Sequence, residues 1–485
     1  GEETHHPVPL IKHKRANLSQ RRTSNSHRAC RMLQSGTVSA RAEAIAADEQ
    51  YDIGRNLRNH VLSFPSSGRL AQLSLRSPMS ETPYTIAVSD DALASLHQKL
   101  KATRLPDELD EAAWDYGVPL ADIKRLVARW RDGYDWRTHE AALNAELPQF
   151  TRDIAVDGHG TLNIHYVHQR SVVQGAVPLL FVHGWPGSFF EARKIVPLLV
   201  ARSSEHPSFH VVVMSLPGFG FSEAPRKKGF AIDQHAEVGH KIMLALGYNE
   251  YVTQGGDWGY FITRRIAKRY GHQHNKAWHT NLPLGRPPTL YYEPLSFLAL
   301  CVRGLTQEEK DGLAQTGRFN SRSRGFHAQQ STRPQTVGYA LADSPVGLLA
   351  WIYEKLVELA DKYPWNDDEV LTWISIYWFS RAGPTAASRI YYEFAEGRSD
   401  VTKDIYGPAD YPTIPMGMSH FAGEKVNIPV SWTNASGNIV HRNKHERGGH
   451  FPAYEAPHSL VDDLRAMYGK GGPVFDIVKG HSGYD

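Results

Sequence analysis

The sequence predicts an α/β fold: a mostly parallel sheet with helices on both faces, preceded by a helical extension and interrupted late by a helical insertion. Three observations predict it. From residue 151 short apolar runs alternate with amphipathic stretches of helical length. From about residue 285 that alternation gives way to helical periodicity alone, and near residue 413 it returns. The apolar runs at residues 178–183 and 210–216 are nearly continuous, the pattern of strands buried on both faces rather than on one.

The first residues lack this character. Between Thr4 and Ala42 there is no Asp or Glu, while Lys12, Lys14, Arg15, Arg21, Arg22 and Arg28 are among the basic residues there. So few large apolar side chains cannot offset the entropy of ordering, and residues 1–82 are expected to form a disordered basic tail. An Arg-rich, Ser-rich, acid-poor start is also the composition of an organelle transit peptide. No clean amphipathic helix accompanies it, so a solvated tail on a cytoplasmic protein is the expectation.

Residues 83–150 read as the helical extension. Residues 84–88 (YTIAV) alternate as a short strand, Ser89 and Asp90 signal a helix that runs to Leu100, and a second helix is expected over residues 120–130. Residues 151–284 form the first part of the core. Residues 152–156 and 162–168 flank the turn DGHG as a hairpin, followed by the buried runs already noted, with a helix at 188–201 between them. A helix at 232–246, a strand at 251–254 and a helix at 260–269 follow. Residues 285–412 are expected to be a helical cap, with helices at 295–303, 347–359 and 369–379. Residues 413–485 complete the core through strand signals at 413–419, 430–433 and 439–443 and a last helix at 458–468.

Composition excludes several functions. The 54 Lys and Arg nearly balance 51 Asp and Glu, so the formal charge of +3 predicts no nucleic-acid partner. Two cysteines, Cys30 and Cys301, cannot make a disulfide framework. The longest apolar runs fall far short of the roughly 18 to 20 residues of a membrane span. A soluble protein without membrane anchor, metal or cofactor is expected, with a homodimer left open.

The most informative stretch is QGGDWG at residues 254–259, set between a strand and a helix in the pattern small-x-nucleophile-x-small. A strand that turns at once into a helix strains and exposes its apex residue, and only glycines let the neighbouring backbones pass so closely. The apex here is Asp257, so the attacking atom would be a carboxylate oxygen, able to split one hard step into two through an ester. Asp is also a favoured N-cap, and the turn alone leaves both roles open. His450, in RGGHF at 447–451, lies just before the last helix, where a general base would return to the site. Glu424, after the strand signal at 413–419, is the candidate orienting acid, with Asp410 and Glu446 as nearby alternatives. The chain order nucleophile, acid, histidine is that of the α/β-hydrolases. HGWPGS at 183–188 follows an apolar strand, so the backbone N–H groups of Trp185 and Trp258 would converge as an oxyanion hole. His183, at a tight turn, reads as structural. PGFGFS at 217–222 lacks the spacing of a dinucleotide or phosphate loop and reads as pocket wall.

At these residues the chain resembles the microsomal-type epoxide hydrolases, a branch of the α/β-hydrolase superfamily with soluble fungal members. The motifs that carry the resemblance are HGWPGS, GGDWG, DSPVGLLAW at 343–351 and RGGHF, and it spans roughly residues 83–468. It implies an α/β-hydrolase fold with a cap, Asp257 as nucleophile, His450 as the base that activates water, and Glu424 as its partner. It also implies two cap tyrosines that protonate the departing alkoxide. The second matches Tyr391; at the first position, eight residues before Pro334, this sequence has Phe326. A phenyl ring cannot donate a hydrogen bond, so Tyr391 alone, His327 or a water would serve. The implied substrate is a small apolar epoxide, opened to a diol. Two other readings compete: a dehalogenase using the same aspartate, which Phe326 and Trp258 suit, and a non-catalytic ligand-binding protein of this fold, which would have no need of Asp257, Glu424 and His450 together.

Overall fold

A computed structural model describes residues 81–396 and 411–485. The expected tail at 1–82 lies almost wholly outside the described residues, as do the end of the expected cap and Asp410.

Among the described residues nine strands form one sheet in the order β1-β2-β3-β5-β4-β6-β7-β8-β9. They are β1 (Thr82–Pro83), β2 (Gln149–Val156), β3 (Gly160–Gln169), β4 (Val177–Val182), β5 (Phe209–Met214), β6 (Tyr251–Gly255), β7 (Asn275–Thr280), β8 (Pro415–Phe421) and β9 (Asn438–His445). The first four neighbours pair antiparallel, and from β5 onward every pairing is parallel. Every residue of β4, β5 and β6 is buried, as central parallel strands covered on both faces must be. The helix Ile232–Ala245 and the helix Trp258–Tyr270 pack together on the sheet, their apolar stripes carrying Ile242, Met243, Ile262 and Ile266 into the core.

All the described helices between Pro294 and Glu396 fall between β7 and β8, so the cap is inserted between two adjacent parallel strands, leaving the end of one and returning to the start of the other. Its helix Asp367–Trp378 grips the loop after β4. The Trp373 indole N–H donates to Pro186 O, and Tyr377 Oη donates to Gly187 O at 2.7 Å. Among the described residues no helix is long and apolar enough to cross a membrane.

Four expectations need correction. Residues 84–88 are not a strand, because side chains take their backbone donors: Ile86 N–H donates to Asn144 Oδ1 and Val88 N–H to Glu140 Oε1. Only Thr82 and Pro83 pair with β2. The helix at 188–201 is two pieces, a 3₁₀ turn Phe189–Lys194 and a short helix Val196–Val200, because Pro197 has no N–H to continue the ladder. Residues 430–433 make a 3₁₀ turn rather than a strand. The glycine loop at 217–222 does not line the substrate-sized cavity described below. It packs Phe219 against the rings of His183 and Tyr377, and Gly220 O receives Arg381 N–H and Ser380 Oγ–H from the chain above.

Candidate active site

The site lies beyond the carboxyl ends of β4, β6, β8 and β9, where open parallel sheets bind ligands. Asp257 is reached from β6 through Gly256 and opens the helix Trp258–Tyr270. Its φ of 50° and ψ of −125° place a non-glycine residue in strained backbone, worth about 1 to 3 kcal/mol and sustained only by the surrounding packing. Two glycines allow that packing. A Cβ on Gly259 would stand 1.9 Å from Val182 O, and one on Gly184 would stand 2.1 Å from Asp257 Oδ1. The Asp257 side chain makes no capping bond to its own helix. It points instead to the loop after β4, where Trp185 N–H donates to Oδ1 at 2.8 Å. Trp258 occupies the first position of the helix, and its N–H does not bond the carboxylate.

His450 faces Asp257 from the loop after β9. Its Nε2 is 3.4 Å from Asp257 Oδ2, without the alignment of a hydrogen bond, and among the described residues it has no other partner. Nδ1 sits 2.8 Å from Glu424 Oε2, and the other Glu424 oxygen accepts Val426 N–H at 3.1 Å. Glu446 is exposed and takes no part. Burial opposes a charge on His450, but Glu424 and Asp257 together outweigh it and hold the imidazole well above the usual histidine range. The loop is pinned from below: Glu455 accepts Phe451 N–H at 2.8 Å and Asp361 N–H at 2.7 Å, and His450 N–H donates to Leu359 O.

His183 lies at 3.0 Å, through Nδ1–H, from Gly184 O and accepts Leu216 N–H at Nε2. Burial lowers it to about 4, so it is a neutral brace between two loops.

Above Asp257 opens a cavity of about 390 Å³ lined by Trp185, Trp258, Phe261, Phe319, Phe394 and other residues of the core and cap. Tyr391, on the helix Arg389–Glu396, is buried at its wall. Its ring meets Trp258 edge-on at 4.7 Å and Trp185 at 5.7 Å. Burial first, then the charge of Asp257, raise the phenol well above its ordinary value, so it stays protonated. Tyr392, one residue on, faces away towards Lys228. Phe326, on the helix Gly325–Thr332, stacks on Trp185 at 5.1 Å and 14°, and His327 lies edge-on to Tyr391 at 5.4 Å. Trp185, Asp257, Trp258, Phe326, Tyr391, Glu424 and His450 therefore all border one cavity. Sequence reasoning missed Phe261, Phe319, Phe394 and Glu191, which touch the site from helices whose spacing marks them only as packing. Among the described residues no group of three or more His, Cys, Asp or Glu is arranged to hold a metal ion.

This geometry has counterparts. A family model described as the epoxide hydrolase N terminus matches residues 81–192, and one for the alpha/beta hydrolase fold matches residues 177–290. The chain is 34% identical over 414 residues to epoxide hydrolase 1 of Sus scrofa, an alignment covering 80% of this chain and 88% of that protein. The solved structure of Aspergillus niger epoxide hydrolase superposes with a TM-score of 0.69 at 33% identity, covering 80% of this chain and 95% of that one. The crystal structure of juvenile hormone epoxide hydrolase from the silkworm Bombyx mori gives 0.71 at 28%, covering 79% and 93%. With its helical extension, capped parallel sheet and aspartate-centred site, the chain belongs to the epoxide hydrolase family and is an enzyme of the α/β-hydrolase fold.

Proposed function

We propose that this enzyme hydrolyses small apolar epoxides to vicinal diols through an alkyl ester on Asp257. The observation that carries the reading is the division of labour at that carboxylate: Oδ1 is held by Trp185 N–H and Oδ2 faces His450, while Asp257 and Tyr391 border the same cavity. Oδ2 attacks an epoxide carbon, the carbon–oxygen bond of the ring breaks, and Tyr391 gives its proton to the departing alkoxide. A carboxylate and a phenol bordering one apolar cavity suit a strained neutral ether, which needs a nucleophile and an acid at the same moment.

In the second step His450, oriented by Glu424, takes a proton from water as its oxygen adds to Asp257 Cγ. Oδ1 becomes the oxyanion, stabilised by Trp185 N–H and by the unused N–H of Trp258. Collapse of that intermediate releases the diol. The raised imidazole fits this sequence. In the resting enzyme Asp257 supports the charge on His450, and once the carboxylate is an ester that support is gone, which frees the imidazole as a base.

The test is intact-mass measurement after a His450→Gln variant meets styrene oxide, with diol and, from a haloalkane, halide followed in the parent enzyme. One substrate mass added to the peptide bearing Asp257 is expected. No adduct there removes the mechanism, and faster halide release than diol formation turns the reading to dehalogenation.

A further inference from the structure

Beside Asp257 lies a second space, of about 10 Å³, close to the room one water molecule needs. Its walls include Gly184, Glu191, Asp257, Asn281 and His450. Two polar groups there bear on a water molecule. His450 Nε2 is buried without a hydrogen-bond partner among the described residues. Glu191, from the 3₁₀ turn Phe189–Lys194, is a buried carboxyl that the ester mechanism does not use. A Cβ on Gly187 would fall 1.4 Å from Glu191 Oε1, so the glycine of HGWPGS leaves the space this carboxyl occupies.

We propose that Glu191 is the positioning residue for the hydrolytic water, holding it in this small chamber between its own carboxyl and His450 Nε2, beside the ester carbonyl. The proposal rests on the ester mechanism above. The water donates one hydrogen to His450 Nε2 and the other to the Glu191 carboxyl. Its oxygen bonds to Asp257 Cγ, the proton passes to His450, and the bond from Cγ to Oδ2, the oxygen now bonded to the substrate carbon, breaks. The alkoxide takes a proton back and leaves as the diol, and Asp257 retains the water's oxygen. The chamber has walls of its own in Glu191, Gly256 and Asn281, which the large cavity does not share, so an apolar substrate filling that cavity need not displace the water. Burial pushes the Glu191 carboxyl up to about 8, with His450 opposing the rise and Asp257 adding to it. At neutral pH it therefore sits beside Asp257 without adding a second negative charge, and its carbonyl oxygen remains an acceptor.

Single-turnover kinetics with styrene oxide, resolving ester formation from ester hydrolysis, test this in three variants of the full chain. Glu191→Asp withdraws the carboxyl by one methylene, Glu191→Leu removes it, and Glu191→Gln keeps its size and its carbonyl oxygen. Ester formation should stay within about threefold of the parent throughout, while ester hydrolysis slows roughly tenfold to a hundredfold in the Asp and Leu variants and is restored within about threefold by Gln, as loss of one hydrogen bond to the attacking water dictates. Should the Leu variant fail to fold, the Asp and Gln pair carries the comparison. Unchanged hydrolysis in Glu191→Asp, or equal slowing of both steps, overturns the proposal. Absence of any Asp257 ester in the parent overturns the mechanism beneath it instead.

Discussion

His450 holds its Nε2 3.4 Å from Asp257 Oδ2, which makes the charge of one residue a function of the chemical state of the other. The carboxylate supports the imidazolium together with Glu424, against the opposing effect of burial.

From this follows a titration shift. In Asp257→Asn, with one of two counter-charges removed, His450 should titrate at lower pH than in the parent, as read from the imidazole resonances by NMR. The sign for stability is also fixed. The folded-state value lies above the unfolded one of about 6.5, so the interaction stabilises the fold fully below that pH and is lost as pH rises through the folded value. Melting temperature measured across this window should fall less with rising pH in Asp257→Asn than in the parent. An unshifted His450 resonance would mean that Glu424 alone sets its charge.

Tyr391 should carry the first step. Tyr391→Phe is expected to slow ester formation by roughly a hundredfold to ten-thousandfold, the range of general acid help, while hydrolysis of a preformed ester changes little. Phe326→Tyr would add a second phenol beside Trp185, on the wall of the same cavity, and should speed epoxide opening. Parent-like ester formation in Tyr391→Phe would pass the acid role to His327, which meets the Tyr391 ring edge-on.

Gly184→Ala should damage catalysis more than folding. The new methyl would lie 2.1 Å from Asp257 Oδ1 and 2.4 Å from its Cβ, so the whole side chain must shift and the carboxylate leaves the Trp185 N–H. A fall of about a hundredfold in kcat is expected, the usual effect of losing one oxyanion donor, with melting temperature changed far less. If kcat survives, Trp185 N–H is not needed at Oδ1.

The core was legible because its signals are local. Near-continuous apolar runs foretold β4 and β5, and GGDWG between a strand and a helix foretold the strained turn at Asp257, whose left-handed φ is what those glycines permit. Glu424 and His450, named from chain order, do lie 2.8 Å apart. What failed depended on distant partners. Residues 84–88 alternate as a strand would, yet Asn144 and Glu140, on the helix Trp136–Glu146, claim their N–H groups. β7 (Asn275–Thr280) went unseen because Asn275, Lys276, His279 and Thr280 hide its burial behind polar side chains. Glu191 carries no local mark, since a glutamate directly after two phenylalanines reads as a solvated helix face until the fold encloses it.

The cap's placement between adjacent strands bears on how the chain reaches this structure. Trp278 of β7 pairs with Met416 of β8 across the whole insertion, so the two halves of the sheet cannot join until most of the chain exists. During synthesis the edge of β7 stays unpaired for as long as the cap takes to emerge, which makes the join a slow, long-range event and that edge the place where an immature chain is prone to aggregate. At equilibrium the length of the insertion matters little, because each doubling of a closed loop costs only about 0.6 kcal/mol. A longer cap would therefore cost the finished sheet little and lengthen chiefly the time β7 waits for its neighbour.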